Sequence, residues 1–258
     1  MRIRLVPAAI LVGCVLSANA ALAVDSLKEN ARVFNDFSTS SLTITNNYPT
    51  QAVIDDRDLV DDMMGGNFAN RHDLLLSSDG GATAAVFNTA TGFDLKANVT
   101  LEVGSNSPRK ETGIRVNSGI SGDALFIINS DAGEIVAFGG GAPFYSFGNN
   151  GGGNGYTPGD TILMQMIYTP GAPGTAEYRI DRGMGLVESS GPLNWENLEG
   201  GPVSYSVGFY GQVAPVDEND FITVTFDNIM YRVPEPGTLA TSLLGLIALG
   251  LSARRRVS

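Results

Sequence analysis

Between Val24 and Arg232 the chain is a succession of short runs in which apolar and polar residues alternate, punctuated by Gly, Asn, Asp, Ser and Pro. A period of two places every second side chain on the same face of a strand. No window here keeps a helical period long enough to pack, beyond a turn or two around Leu59 to Met64. Many short strands with one apolar face need a second layer to cover that face. The pattern therefore predicts an all-β domain, an antiparallel two-sheet sandwich over 24–232.

The rows can be read residue by residue. Val99, Leu101 and Val103 stand opposite Asn98, Thr100 and Glu102, and Ile114 and Val116 stand opposite Arg115 and Asn117. Val203, Tyr205, Val207 and Phe209 form an inward row facing away from Ser204, Ser206, Gly208 and Tyr210, and Ile222, Val224 and Phe226 close the domain. Asp123 to Asn129 and Glu134 to Phe138 flank Ser130-Asp131-Ala132-Gly133, whose Asp and Gly suit a tight hairpin turn. Thr161 to Tyr168 and Thr175 to Asp181 flank a connection with two Pro-Gly-type breaks, which predicts a second hairpin with a longer loop.

Composition removes several functions. With one His and one Cys in 258 residues, two-histidine metal sites and disulfide frameworks are excluded. The net charge of −11 leaves no basic surface for nucleic acid outside the chain ends.

Those ends carry targeting chemistry. Arg2 and Arg4 precede an apolar run, Leu5 to Leu16, and the small-residue triplets Ala18-Asn19-Ala20 and Ala21-Leu22-Ala23. This predicts a secretory signal peptide over 1–23. Leu11-Val12-Gly13-Cys14 resembles a lipoprotein box, a competing reading that would make Cys14 the lipidated residue. At the other end Val233-Pro234-Glu235-Pro236 precedes sixteen uncharged residues, Thr238 to Ala253, and then Arg254, Arg255 and Arg256. As a helix at about 1.5 Å per residue, that segment reaches about 24 Å, short for a membrane span but able to hold one. The arginines at both ends predict a cytoplasmic side for each and export of everything between.

The end as a whole, residues 233–258, resembles the PEP-CTERM sorting signal of Gram-negative bacteria: triplet, short transmembrane segment, basic tail. That resemblance implies processing by an exosortase and delivery to the cell surface or extracellular matrix, in association with exopolysaccharide. Removing 1–23 and 237–258 takes away five arginines and no acid, leaving 11 basic against 27 acidic residues and a charge of −16. Such a domain attracts divalent cations more readily than polyanions.

The order of strands over 34–231 resembles the concanavalin A-like jelly roll. The resemblance is carried by Phe34-Asn35-Asp36-Phe37-Ser38, the run Ala97 to Asn117, the hairpin Asp123 to Phe138 and the closing Thr225-Phe226-Asp227-Asn228-Ile229. A curved solenoid competes, but no repeat of fixed period is present. The resemblance implies that the first and last strands lie side by side, with Asp227 and Asp36 as candidate ligands of a structural calcium ion. It also implies a glycan-binding or glycan-cleaving use.

For glycan contact the candidates are rings that stack on sugars: Phe144, Tyr145, Phe147 and Tyr156 in or beside the Gly-rich stretch Gly139 to Gly155, and Trp195 in another loop. The Glu-x-Asp-x-x-Glu spacing of laminarinase-type glycosidases is absent. Its nearest echo is Trp195-Glu196-Asn197-Leu198-Glu199, and Glu102 and Glu177 read as ion-pair partners of Arg115 and Arg179 on an outer face. His72, in Asn70-Arg71-His72-Asp73, reads as part of a solvated turn, and the acidic run Asp55 to Asp62 as a loop or helix start. The expectation is thus an exported, non-catalytic sandwich that binds or organises exopolysaccharide. A structural or adhesive protein with protein partners and a divergent polysaccharide hydrolase or lyase compete with it.

Overall fold

A computed structural model describes residues 23–233 apart from 34–36, 38, 61–68, 118–121, 196–203 and 215–216. The signal peptide, Cys14, Asp36, Pro234 to Pro236, the apolar segment 238–253 and the arginine tail lie outside the described residues. Among the described residues no helix is long and apolar enough to cross a membrane.

Sixteen strands follow in chain order: β1 (Ser26–Arg32), β2 (Ser41–Asn47), β3 (Gln51–Arg57), β4 (Asn70–Ser77), β5 (Phe87–Asn88), β6 (Phe93–Val103), β7 (Lys110–Asn117), β8 (Asp123–Asn129), β9 (Ile135–Phe138), β10 (Tyr145–Gly148), β11 (Thr161–Thr169), β12 (Gly174–Asp181), β13 (Val187–Ser189), β14 (Leu193–Trp195), β15 (Ser204–Val213) and β16 (Ile222–Arg232). They form two eight-stranded sheets. The first runs β1-β4-β15-β7-β8-β9-β10 with β5 on β15, and the second runs β13-β12-β11-β6-β16-β3-β2 with β14 on β12. Every pairing is antiparallel. The two-sheet antiparallel sandwich expected from the period of two is what the chain forms.

Both local hairpins stand where turn chemistry puts them, β8 on β9 and β11 on β12. The alternating rows fill the space between the sheets, Leu74, Ile114, Phe126 and Phe209 from the first and Leu95, Met164, Tyr178 and Phe226 from the second, all buried. Phe209 meets Phe226 across the gap with ring centroids 4.6 Å apart. Each such side chain contributes about 1.5–3 kcal/mol by leaving water, which offsets the entropy of ordering the strands.

One topological expectation is corrected. The last strand, β16, lies between β3 and β6, whereas β1 belongs to the opposite sheet beside β4. β16 starts at Ile222, opposite Asp56 and Val103, and ends at Arg232, opposite Asp94. It thus spans the second sheet from one end to the other.

Candidate functional site

Alternation along β4 sends Asn70, His72, Leu74 and Leu76 inward and Arg71, Asp73 and Leu75 outward. Register carries this outward row across the first sheet: Asp73 pairs with Tyr210, Tyr210 with Gly113 and Gly113 with Ile127. The next row holds Arg71, Gln212 and Glu111. A side chain at Gly113 would run into the backbone of Phe126, so the floor beside Tyr210 stays clear.

An outward face of a two-layer protein ordinarily stays wet, but this one is largely closed. Tyr210 is fully buried and packs with Ile127 and Val136, with Leu125 and Phe138 around them. The Arg71 guanidinium lies 4.9 Å from the centre of the Tyr210 ring. Arg71 pairs with Asp73 at 3.4 Å and Asp123 at 2.9 Å, and Arg115 pairs with the same two carboxylates at 3.0 and 2.8 Å. Four charges therefore close a ring over the sheet. Yet the Nε of Arg115 is buried with no hydrogen-bond partner.

Beside this ring the Tyr210 phenol donates to Glu111 Oε1 at 2.9 Å, and Arg109 lies 3.1 Å from the same carboxylate. Arg109 also bonds Glu134 at 2.7 Å. Burial pushes the Glu111 carboxyl above its ordinary value, opposed by the Tyr210 hydrogen bond and the Arg109 charge. Burial, reinforced by the Glu111 charge, pushes the Tyr210 phenol well above its own. Around neutral pH the phenol therefore keeps its proton. The face combines a proton donor, a buried carboxylate acceptor and guanidinium groups suited to an oxyanion.

Directly behind it the interior is polar as well. Asp56, on β3, accepts from His72 Nε2 at 2.8 Å, from Asn70 at 3.1 Å and from the Ser40 hydroxyl. Asp56 and His72 are both fully buried. His72 is thus a core residue of a strand rather than part of a solvated turn, and Asp55 and Asp56 of the acidic run belong to β3 rather than to a loop. Lys110 and Asp220 form a second buried pair, each side chain fully enclosed. Sequence reasoning missed these groups because Asn70-Arg71-His72-Asp73 resembles a turn in isolation. The available signal was the Leu74-Leu75-Leu76 run that follows, which fits the end of a strand.

The predicted glycan-stacking rings need correction. Trp195 is fully enclosed, edge-on to Tyr168 at 5.7 Å, because β14 turns it under the second sheet. Tyr156 is buried, with its hydroxyl donating to Asp160 O at 2.7 Å and accepting from Leu101 N at 2.8 Å. Phe147 packs on Phe126 in the core, and the half-buried Tyr145 meets Phe147 edge-on at 4.8 Å. Phe144, 71% exposed, is the one of the five that offers its ring to solvent.

Asp227 accepts from Gln51 Nε2 at 2.8 Å. Among the described residues no group of three or more His, Cys, Asp or Glu gathers as a metal site. Glu102 and Glu177 lie on the second sheet, where Arg179 pairs with Glu177 at 2.6 Å, whereas Arg115 lies on the first. Glu196 and Glu199 fall outside the described residues, and Val233 directly follows β16.

No protein-family model and no curated protein sequence matches the chain. Solved structures do resemble it. An alginate lyase from Klebsiella pneumoniae aligns with a TM-score of 0.50 at 8% identity, over 77% of this chain and 86% of that one. An alginate lyase of polysaccharide lyase family 7 gives 0.49 at 9% identity, over 81% and 94%. A Lotus tetragonolobus seed lectin gives 0.44 at 8% identity, over 81% and 100%. At such identities the likeness concerns the fold, and the first alignment carries it. It also corrects the expectation of a non-catalytic domain. That expectation rested on a missing glycosidase spacing, and the fold matched here is the scaffold of an enzyme named for cleaving a polysaccharide by other means.

Proposed function

We propose that the chain is an exported polysaccharide-cleaving sandwich with a concanavalin A-like jelly-roll fold, which acts by elimination on a uronate-bearing glycan at the outward face of its first sheet. The observation that carries this reading is the Tyr210–Glu111 hydrogen bond set beside Arg71 and Arg115. The fold it shares with the Klebsiella pneumoniae alginate lyase supports it, as does the targeting chemistry of the two ends. In the same proposal the Pro234-Glu235-Pro236 triplet and the segment after it serve exosortase sorting to the surface or matrix.

Elimination beside a carboxylate needs three things: a base for the proton next to the carboxyl carbon, positive charge for the resulting enolate, and an acid for the departing oxygen. A sugar carboxylate entering the face competes with Asp73 and Asp123 for the guanidinium groups. As Arg71 turns to the sugar it uncovers Tyr210. Glu111 takes the proton next to the sugar carboxyl carbon, and Arg71 and Arg115 hold the charge of the enolate. The phenol gives its proton to the leaving glycosidic oxygen, and the proton on Glu111 returns to the Tyr210 oxygen along their hydrogen bond. The carbon–oxygen bond breaks, a carbon–carbon double bond forms, and the chain is cut without water.

The test incubates the full chain with alginate, other uronate-containing polymers and neutral polymers, with and without a chelator. Ultraviolet absorbance reads new unsaturated ends and a reducing-end assay reads any cleavage. Unsaturated ends from a uronate polymer, lost in Tyr210→Phe, are the expected result. Reducing ends without unsaturation would replace elimination by hydrolysis. Retention of a polymer in affinity electrophoresis with no cut by a folded protein would overturn the enzymatic reading.

A further inference from the structure

The inward polar cluster lies immediately beneath the outward one. His72 sits between Arg71 and Asp73, and its register partner, Gly211, sits between Tyr210 and Gln212. Gly211 pairs onward with Thr112, between Glu111 and Gly113, and the Thr112 hydroxyl donates to the Tyr210 carbonyl at 2.6 Å. In each of three adjacent strands, then, one inward residue is flanked by outward residues of the face.

The sheets close on each other at this point. A Cβ on Gly211 would come within 3.2 Å of Val224 and 3.5 Å of Ile54, both from the second sheet. The glycine leaves a short path along which the first sheet's imidazole reaches the second sheet's Asp56. Asp56 is held on its other sides by Asn70 and Ser40. His72 has no such redundancy, because its Nδ1 is buried with no partner. One hydrogen bond orients the ring.

We propose that His72 is a positioning residue for the outward face, acting through its bond to Asp56 across the interior; this rests on the reading of that face as the cleavage site. The bond pins the middle of β4 to the second sheet. Arg71 and Asp73, one residue away on either side, are thereby held at the height where one covers the Tyr210 ring and both enter the ring of charges. Without the bond β4 is free to shift, and the two side chains shift with it. Misplacement of about an ångström in a catalytic arrangement is enough to cost roughly a hundredfold in rate.

The test compares full-length His72→Gln, which keeps an N–H donor able to reach Asp56, with His72→Leu, which fills similar space with no donor. Both are assayed for kcat and KM, and for the NMR signal of the Arg71 Nε–H. The expected result for His72→Leu is a kcat lower by roughly ten- to a hundredfold and a displaced Arg71 signal, with His72→Gln restoring both. A folded His72→Leu with wild-type kcat and an unmoved Arg71 signal would overturn the proposal, as would equal losses in the two variants. If His72→Leu does not fold, His72→Phe, a ring with no donor, takes its place with the same two outcomes. If the wild-type chain cleaves no polymer, the site reading fails by itself and the Arg71 signal still decides: displaced in Leu but not Gln supports the positioning role, unmoved in both sinks it.

Discussion

On the outward face of the second sheet, Arg57 pairs with Asp55 at 2.8 Å and Arg179 with Glu177 at 2.6 Å, with the arginine side chains 47% and 36% exposed. On the outward face of the first, Arg71 and Arg115 share Asp73 and Asp123 with arginine side chains 13% and 10% exposed, over a tyrosine that sees no solvent. Both surfaces come from strands of the same alternating kind. The second sheet's arginines reach into solvent, where Coulomb attraction is weak and side-chain entropy nearly cancels it. The first sheet's charges are largely desolvated, so each depends on the others being present. A fold of this kind needs only one apolar face per sheet. Desolvated charge on the other face is not required for the core, which is why we place function there.

The contrast can be broken by removing one cation from each face. Arg115→Ala leaves Asp73 and Asp123 facing each other with half their counter-charge, and a loss of about 3 kcal/mol in unfolding free energy is expected from urea denaturation. A loss near zero would make the first face as solvated as the second. Tyr210→Phe, next in size, strips a buried carboxylate of its phenol donor and should cost about 1–3 kcal/mol while abolishing cleavage.

The two glutamates sharpen the comparison through pH. Burial raises the Glu111 carboxyl, so above its ordinary value of 4.5 the folded protein holds the proton that the unfolded chain releases. Its contribution to stability therefore falls as pH rises through the window between 4.5 and the raised value. For Glu177 the Arg179 hydrogen bond lowers the carboxyl. Its contribution is complete above the ordinary value and fades as pH falls below it. Urea midpoints recorded against pH should lose the first slope in Glu111→Gln and the second in Glu177→Gln. Slopes of the same sign would show that the two environments do not differ. The smallest effect is expected from Arg179→Ala, within about 0.5 kcal/mol of wild type, because the arginine side chain reaches into solvent.

Local information accounts for what could be read in advance. The hairpins β8–β9 and β11–β12 follow from alternation and turn residues a few positions apart, and the inward rows of β15 and β16 from alternation alone. The proposed cleavage face joins Arg71, Glu111, Arg115, Asp123 and Tyr210 from four strands, and only long-range pairing makes them neighbours. Alternation marked Tyr210 and Arg115 as outward correctly, but an outward position says nothing of whether a second cluster covers it. Trp195 and Tyr156 fail for the converse reason: glycine-rich flanks suggest exposed loops, yet large rings beside short edge strands fold under the sheet to fill the sandwich.

The course of β16 has a geometric consequence. It begins beside Asp56, behind the Tyr210 face, and runs eleven residues before the chain passes on to Val233. At about 3.3 Å per residue that is a standoff of about 33 Å. Under the proposed sorting, a domain tethered through its C-terminal side would hold the proposed site away from the tether, like a tool gripped by its handle, and would meet polymer arriving from the medium before polymer lying against the cell.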